Sequence, residues 1–255
     1  MEESQDFQSK NIDFSTKLGE GGCGVVFKGT LNGKTYAVKR LDKQRHNEKY
    51  VLRRIGPHPN IVPYLSSFRR DGKEFLVFEV CEKLPPLPMP LKDVKQLTRH
   101  LLRALSVVHV KHNLRFGDIK KGNVMVYDNH YVLIDFGYCR EAESAKGMGT
   151  LDYFAPELCP KHNPLFHKAN DIWALGVLIF KLLTDRFPFY HHSEGKTLRN
   201  IRRCFISSRK AWRKLDRETK EFLRFLWVRN PMRRPGIRQV MNHPWLERNP
   251  KHLSR

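Results

Sequence analysis

Apolar and polar positions alternate in short runs from Phe14 to Phe27 and again from Thr35 to Leu41, the runs broken by glycines and by Asn32-Gly33. Alternation with period two around an Asn-Gly pair predicts antiparallel strands joined by a tight hairpin. Lys43 to Ile55 then has helical spacing, Pro57 to Asn60 interrupts it, and Ile61 to Phe68 and Glu74 to Val80 return to strand character. The Pro-rich stretch Leu84 to Leu91 reads as a linker. Beyond it, Leu97, Leu101, Leu105 and Val108 recur on one helix face within Lys92 to Lys111, and Asp171 to Leu183 and Glu218 to Val228 are helix-like. The pattern predicts an α+β fold in which a strand-rich front half meets a helix-rich rear half.

A chain of 255 residues, 40% hydrophobic and 29% charged, has the material for one core in one or two lobes and not for an array of domains. It has no internal repeat and no apolar run long enough to cross a bilayer, so a soluble protein without membrane partners is expected. Met1 to Asp13 is polar and lacks the marks of a signal or transit peptide, which predicts an intracellular location, cytoplasm or nucleus. The five cysteines are scattered and form no Cys-x-x-Cys pair, which argues against a disulfide framework or zinc knuckle and for a reducing compartment. His191-His192 has no third ligand spaced to join it, so no structural metal is expected. The net charge of +21, with Lys and Arg crowded from Arg199 to Arg238, attracts anions. Nucleic acid or nucleoprotein, an acidic protein face, the nucleotide itself and a merely solvated basic surface all satisfy it; charge alone does not choose.

Gly19-Glu20-Gly21-Gly22-Cys23-Gly24 is a Gly-x-Gly-x-x-Gly run, which lets backbone N–H groups approach phosphates. A dinucleotide-binding fold needs a helix directly after such a run; strand-like Val25 to Lys28 follows instead, and a plain glycine-rich hairpin is an equal alternative at this point. Lys39 lies on the next strand within reach of the same phosphates, and Glu48 on the following helix-like segment is placed to pair with it. Further on, Phe116-Gly117-Asp118-Ile119-Lys120-Lys121-Gly122-Asn123 offers a carboxylate, an amine and an amide, and Ile134-Asp135-Phe136-Gly137 adds a second carboxylate after a short hairpin. Phosphoryl transfer needs an aligner for the hydroxyl, oxygen ligands for magnesium and positive charge on the moving group. Any one Asp beside Gly is commonly a turn residue; the ordered combination is what points to chemistry.

In this order the residues resemble the eukaryotic-type serine/threonine protein kinases, from about Phe14 to Leu246. The resemblance implies a single bilobal domain over 1–255: a small antiparallel-sheet N-lobe at about 14–80, a hinge and linker at about 79–91, and a mainly helical C-lobe at about 92–247. It implies ATP and Mg2+ as cofactors and protein substrates as partners. Gly19 to Gly24 would form the phosphate loop with Leu18 beside it, and Lys39, anchored by Glu48, would bind the α- and β-phosphates. Phe78 would be the gatekeeper, with Glu79 and Cys81 presenting backbone to adenine between Val26, Ala37 and Met125. Asp118 would be the catalytic base with Lys120 beside it, and Asn123 and Asp135 would bind magnesium. Lys120, together with Gly149-Thr150 before Ala155-Pro156-Glu157, is the serine/threonine pattern. Glu157 would pair with Arg234, and Asp171 to Gly176 resembles the central C-lobe helix.

Three features depart from the family pattern. Lys39 and Glu48 are unusually close in sequence, Phe116-Gly117 stands where His-Arg is usual after a stretch one residue longer than typical, and Gly122 replaces a glutamate that helps read basic substrates. Gly117 carries no charge for an activation-segment phosphate to neutralise, and Ser144 is the only serine between Gly137 and Ala155, so activity without phosphorylation of that segment is expected; the alternative is that Arg140 receives a phosphate on Ser144. Phe116 is expected to fill an apolar column with Phe136, Tyr64 and Leu52. The compact basic chain also resembles minimal virus-encoded kinases such as the baculovirus late kinases, which implies an infected host cell and virion or nucleoprotein substrates. A non-catalytic pseudokinase and a nucleic-acid-binding protein are the competing readings.

Overall fold

The computed structural model describes residues 12–22, 24–41, 47–141, 150–159 and 167–247. Cys23, Ser144 and the expected helical residues 43–46 lie outside the described residues. Strands β1 (Asp13–Gly21), β2 (Gly24–Leu31) and β3 (Lys34–Leu41) form an antiparallel meander, followed by helix α1 (Asn47–Ile55) and the hairpin of β4 (Tyr64–Arg70) and β5 (Lys73–Phe78). Together they make a five-stranded sheet ordered β1-β2-β3-β5-β4.

Alternation decides which side chains this sheet sends where. Tyr36 and Val38 on β3 are fully buried with Ile12, Leu31, Phe68, Phe75 and Val77 in a small outer core. The residues between them, Ala37 and Lys39, therefore face the other side, toward the rest of the molecule. Gly24 starts β2 at φ +138°, and a Cβ there would collide with the Arg40 carbonyl oxygen, so only glycine lets β2 leave the loop this close to β3.

The strand expected from Ile61 begins only at Tyr64, because Pro63 has no N–H for a ladder and Ile61 bridges Leu133 of the other lobe instead. The strand expected to reach Val80 ends at Phe78. After β6 (Glu82–Lys83) comes α2 (Leu91–Ser106), then a π-helical turn at Val107–Lys111 in which His112 N–H reaches the Val107 carbonyl at 3.1 Å. That wider turn takes up the extra residue noted ahead of Asp118. β7 (Leu114–Arg115), β8 (Val124–Tyr127), β9 (His130–Leu133) and β10 (Arg140–Glu141) follow as short paired strands.

Helix α3 (Lys168–Thr184) is buried continuously from Asn170 to Phe180, as expected of a helix that is apolar all round. Trp227 packs onto Gly176, where a Cβ would lie 2.6 Å from the indole Nε1. Around α3 run α4 (Glu194–Arg203), α5 (Arg209–Lys214), α6 (Arg217–Leu226) and α7 (Ile237–Met241). One continuous core joins α2 and α3 to Val51, Leu52 and Ile55 of α1, so the lobes are packed together beneath the cleft between them. Among the described residues, no helix is long and apolar enough to cross a membrane.

Candidate active site

A cleft of about 620 Å³ lies between the sheet and the helical lobe. Leu18, Val26, Ala37, Phe78 and Met125 line its apolar end beside the connecting segment of Glu79, Val80 and Cys81. Size and lining suit a largely buried small molecule. Glu79 is held by Lys34 at 2.8 Å. The Cys81 thiol is pushed up to about 11 by burial and by the Glu79 charge.

At the polar end Lys39 Nζ lies 2.6 Å from Glu48 Oε2 and 2.7 Å from Asp135 Oδ1. Burial alone would push the Lys39 ammonium down; the two carboxylates more than offset it and hold the group above its ordinary value. Burial holds Glu48 above the usual carboxylate range, against the pull of Lys39. Asp135 is held below its ordinary value: burial opposes this, but the charge and hydrogen bond of Lys39 and the Gly137 N–H outweigh it. Glu48 also accepts the Phe136 N–H at 3.1 Å, so α1, β3 and the Asp135 turn share one polar knot. The close sequence spacing of Lys39 and Glu48 is therefore no obstacle to their pairing.

Asp118 is buried, 2.7 Å from Lys120 Nζ. Asn123 donates from its amide nitrogen to both the backbone carbonyl and Oδ2 of Asp118, each at 2.9 Å, which leaves the amide oxygen as what it offers the cleft. The loop is fixed from below by Asp171 on α3, whose carboxylate accepts the N–H of Phe116 at 2.7 Å and of Gly117 at 2.8 Å and meets His109 Nε2 at 2.8 Å. Phe116 meets Phe136 edge to face at 5.1 Å, with Leu52 in the same core, while Tyr64 packs on Phe78. Glu157 and Arg234 form a two-pronged pair at 2.7 and 2.9 Å.

Leu18, Gly19, Glu20, Gly21, Gly22, Gly24, Val26, Ala37, Lys39, Glu48, Phe78, Glu79, Cys81, Lys120, Asn123, Met125 and Asp135 all line the one cleft, and Asp118 and Thr150 line an adjoining recess. The carboxylate of Asp135 and the amide oxygen of Asn123 are hard oxygen donors of the kind Mg2+ takes. Sequence reasoning missed Val62, Ile134 and Tyr138. Tyr138 directly follows Asp135-Phe136-Gly137, but nothing local shows that its hydroxyl comes within 2.8 Å of where a Cβ on Gly22 would sit. One premise is corrected: the space beside Gly117 is not without charge, because the Arg115 guanidinium fills it, with Cζ 3.6 Å from a Cβ built on Gly117.

The model of the protein kinase domain family matches residues 12–246, and the chain belongs to that family and has its bilobal fold. It is similar to the phosphorylase b kinase gamma catalytic chain, liver/testis isoform, of Rattus norvegicus, at 27% identity over 86% of this chain and 58% of that protein. The Homo sapiens form is 29% identical over 83% of this chain and 56% of its own length. Serine/threonine-protein kinase PAK 4 of Homo sapiens is 28% identical over 92% of this chain and 43% of its own length. The chain thus spans less than two thirds of the length of these curated relatives.

Proposed function

We propose that the protein transfers the γ-phosphoryl group of ATP to serine or threonine hydroxyls of protein substrates. The observation that carries this is that Lys39, Glu48, Asp135, Lys120 and Asn123 line one cleft whose other end is apolar, with Asp118 held beside it by Lys120 and Asn123. The base of ATP fits the apolar end, and the glycine loop and Lys39 receive the phosphates. Asp118 aligns the attacking hydroxyl and accepts its proton while Lys120 offsets charge on the moving group. Asp135 and Asn123 would hold Mg2+, which supplies charge neutralisation on the phosphate oxygens. Lys120, paired with Asp118, and Thr150 are the residues of the serine/threonine pattern, which supports a short aliphatic hydroxyl over a phenol. The names of the relatives, phosphorylase b kinase and serine/threonine-protein kinase, agree with this class.

Activity without activation-segment phosphorylation belongs to the same reading, on a changed footing. Its support is no longer a missing charge but an assembled site: Lys39, Glu48 and Asp135 are paired, and Phe116 packs on Phe136. An intracellular setting accords with Cys81, Cys139, Cys159 and Cys204, all free thiols. The resemblance to minimal virus-encoded kinases extends this to an infected cell; the relatives named above are mammalian and add nothing to that extension. The exposed arginines and lysines of α5 and α6 support an accessory affinity for polyanions, readable as binding that weakens steeply with salt.

Incubation with labelled ATP, Mg2+ and a peptide library, followed by phosphoamino-acid analysis, tests the reading. Phosphoserine and phosphothreonine are expected. Nucleotide binding with no transfer would establish the pseudokinase alternative, and mainly phosphotyrosine would refute the substrate class.

A further inference from the structure

Arg115 has no part in the chemistry above, yet it stands with Trp173 and Phe116 among the largest fully buried side chains. Burying a guanidinium is costly unless the surroundings compensate it. Burial pushes its pKa down, the Asp171 carboxylate opposes that, and Arg140 adds to it. Its position explains what it is kept for. Arg115 ends β7, immediately before the loop that carries Asp118, and β7 pairs antiparallel with β10, so that Arg115 lies opposite Arg140 and Leu114 opposite Glu141. β10 in turn follows the turn that carries Asp135. The two loops that hold the candidate carboxylates are thus joined at their roots by a pairing of two residues on each side.

Gly117 lies at φ +85°, and a Cβ there would collide with Arg115 Nη1 and come within 2.9 Å of the Tyr138 carbonyl oxygen. The Arg115 side chain therefore folds back along its own loop into the gap between Gly117 and the Tyr138–Arg140 arm. That gap exists only because residue 117 has no side chain.

We propose that Arg115 is a positioning residue: its guanidinium, wedged between the Asp118 loop and the arm that follows Asp135, sets the spacing of the two carboxylates. This rests on the phosphotransfer reading above. Asp171 supplies part of the opposing charge from inside the fold. Arg115 is not itself in contact with the reacting groups; its removal lets the two loops relax relative to each other, which affects turnover more than nucleotide binding.

The test uses the full chain with Arg115→Met and Arg115→Lys. Because displacement of reacting groups by about 1 Å can cost about 100-fold in rate, Arg115→Met is expected to lower kcat at least about tenfold while KM for ATP moves less than about twofold. Arg115→Lys, which keeps the charge but not the planar fork, should recover part of kcat. Nucleotide-induced thermal stabilisation reports folding of each variant. Folded Arg115→Met with kcat within twofold of wild type overturns the proposal, as does an equal loss of kcat in both variants with KM rising in step, which is the mark of general structural damage. If Arg115→Met does not fold, Arg115→Lys with unchanged kcat overturns it. A wild-type chain that transfers no phosphate refutes the phosphotransfer reading itself, a result distinct from an active chain indifferent to Arg115.

Discussion

The two lobes hold their polar groups in different ways. In the sheet lobe Lys39 stands on a strand, and its partners come from elsewhere: Glu48 from α1 and Asp135 from across the cleft. In the helical lobe the Asp118 loop is tied through its own backbone to Asp171, a residue buried in the first turn of α3, and Glu157 is tied to a side chain, Arg234, that is wholly buried. Side-chain ion pairs between elements depend on how the lobes close. Backbone anchors on a central helix do not. The helical half of the site is built into the fold, and the sheet half is assembled when α1 and the Asp135 turn meet.

This contrast predicts where mutations act. Removing one partner of a buried ion pair leaves the other charge uncompensated, so Arg234→Met should lower stability by about 3–5 kcal/mol, read from urea unfolding. Glu48→Gln should act on rate rather than on stability. Since burial already disfavours the Glu48 charge, stability should change little, while loss of a charged hydrogen bond worth about 1.5–3 kcal/mol should reduce kcat/KM about 10- to 100-fold. A Glu48→Gln variant that unfolds more readily than Arg234→Met would reverse the contrast.

Smaller effects are expected from two caps that need neutral histidines. His58 Nδ1 accepts the Asn60 N–H at 3.1 Å and His243 Nδ1 accepts the Trp245 N–H at 3.2 Å. Burial holds both below the ordinary 6.5, helped at His58 by Arg103 and opposed at His243 by Glu221. The unfolded chain therefore takes up protons first on acidification, and the stability these caps add is present above pH 6.5 and lost as pH falls from there toward the folded-state values. The urea midpoint should drop between pH 7.5 and pH 5.5, and drop less in His243→Asn. Smallest of all, Cys81, with its thiol near 11, should react with iodoacetamide at pH 8 more slowly than a free cysteine, as followed by intact mass.

What could be read in the sequence was what local rules determine. Asn32-Gly33 marked a hairpin, strand-like Val25 to Lys28 separated the glycine run from a dinucleotide fold, and the order Lys39, Asp118, Asn123, Asp135 pointed to one chemistry. The structure brings these side chains to one cleft and its adjoining recess. What escaped depends on how side chains and strands are placed in three dimensions. Pro63 delays β4, Tyr138 reaches up to Gly22, and Arg115 fills the gap at Gly117. The last case misled the charge argument, because a residue type read at one position says nothing of a long side chain arriving from two positions away.

The central claim is that Asp118 aligns a serine or threonine hydroxyl for transfer within a cleft that binds ATP independently of it. The most direct measurement compares wild type with Asp118→Asn in single-turnover phosphorylation of a protein substrate, alongside nucleotide affinity by calorimetry. Since a positioned proton acceptor contributes about 10²–10⁴-fold, the rate should fall by that factor while nucleotide affinity stays within about twofold. A rate in Asp118→Asn close to that of wild type would contradict the claim.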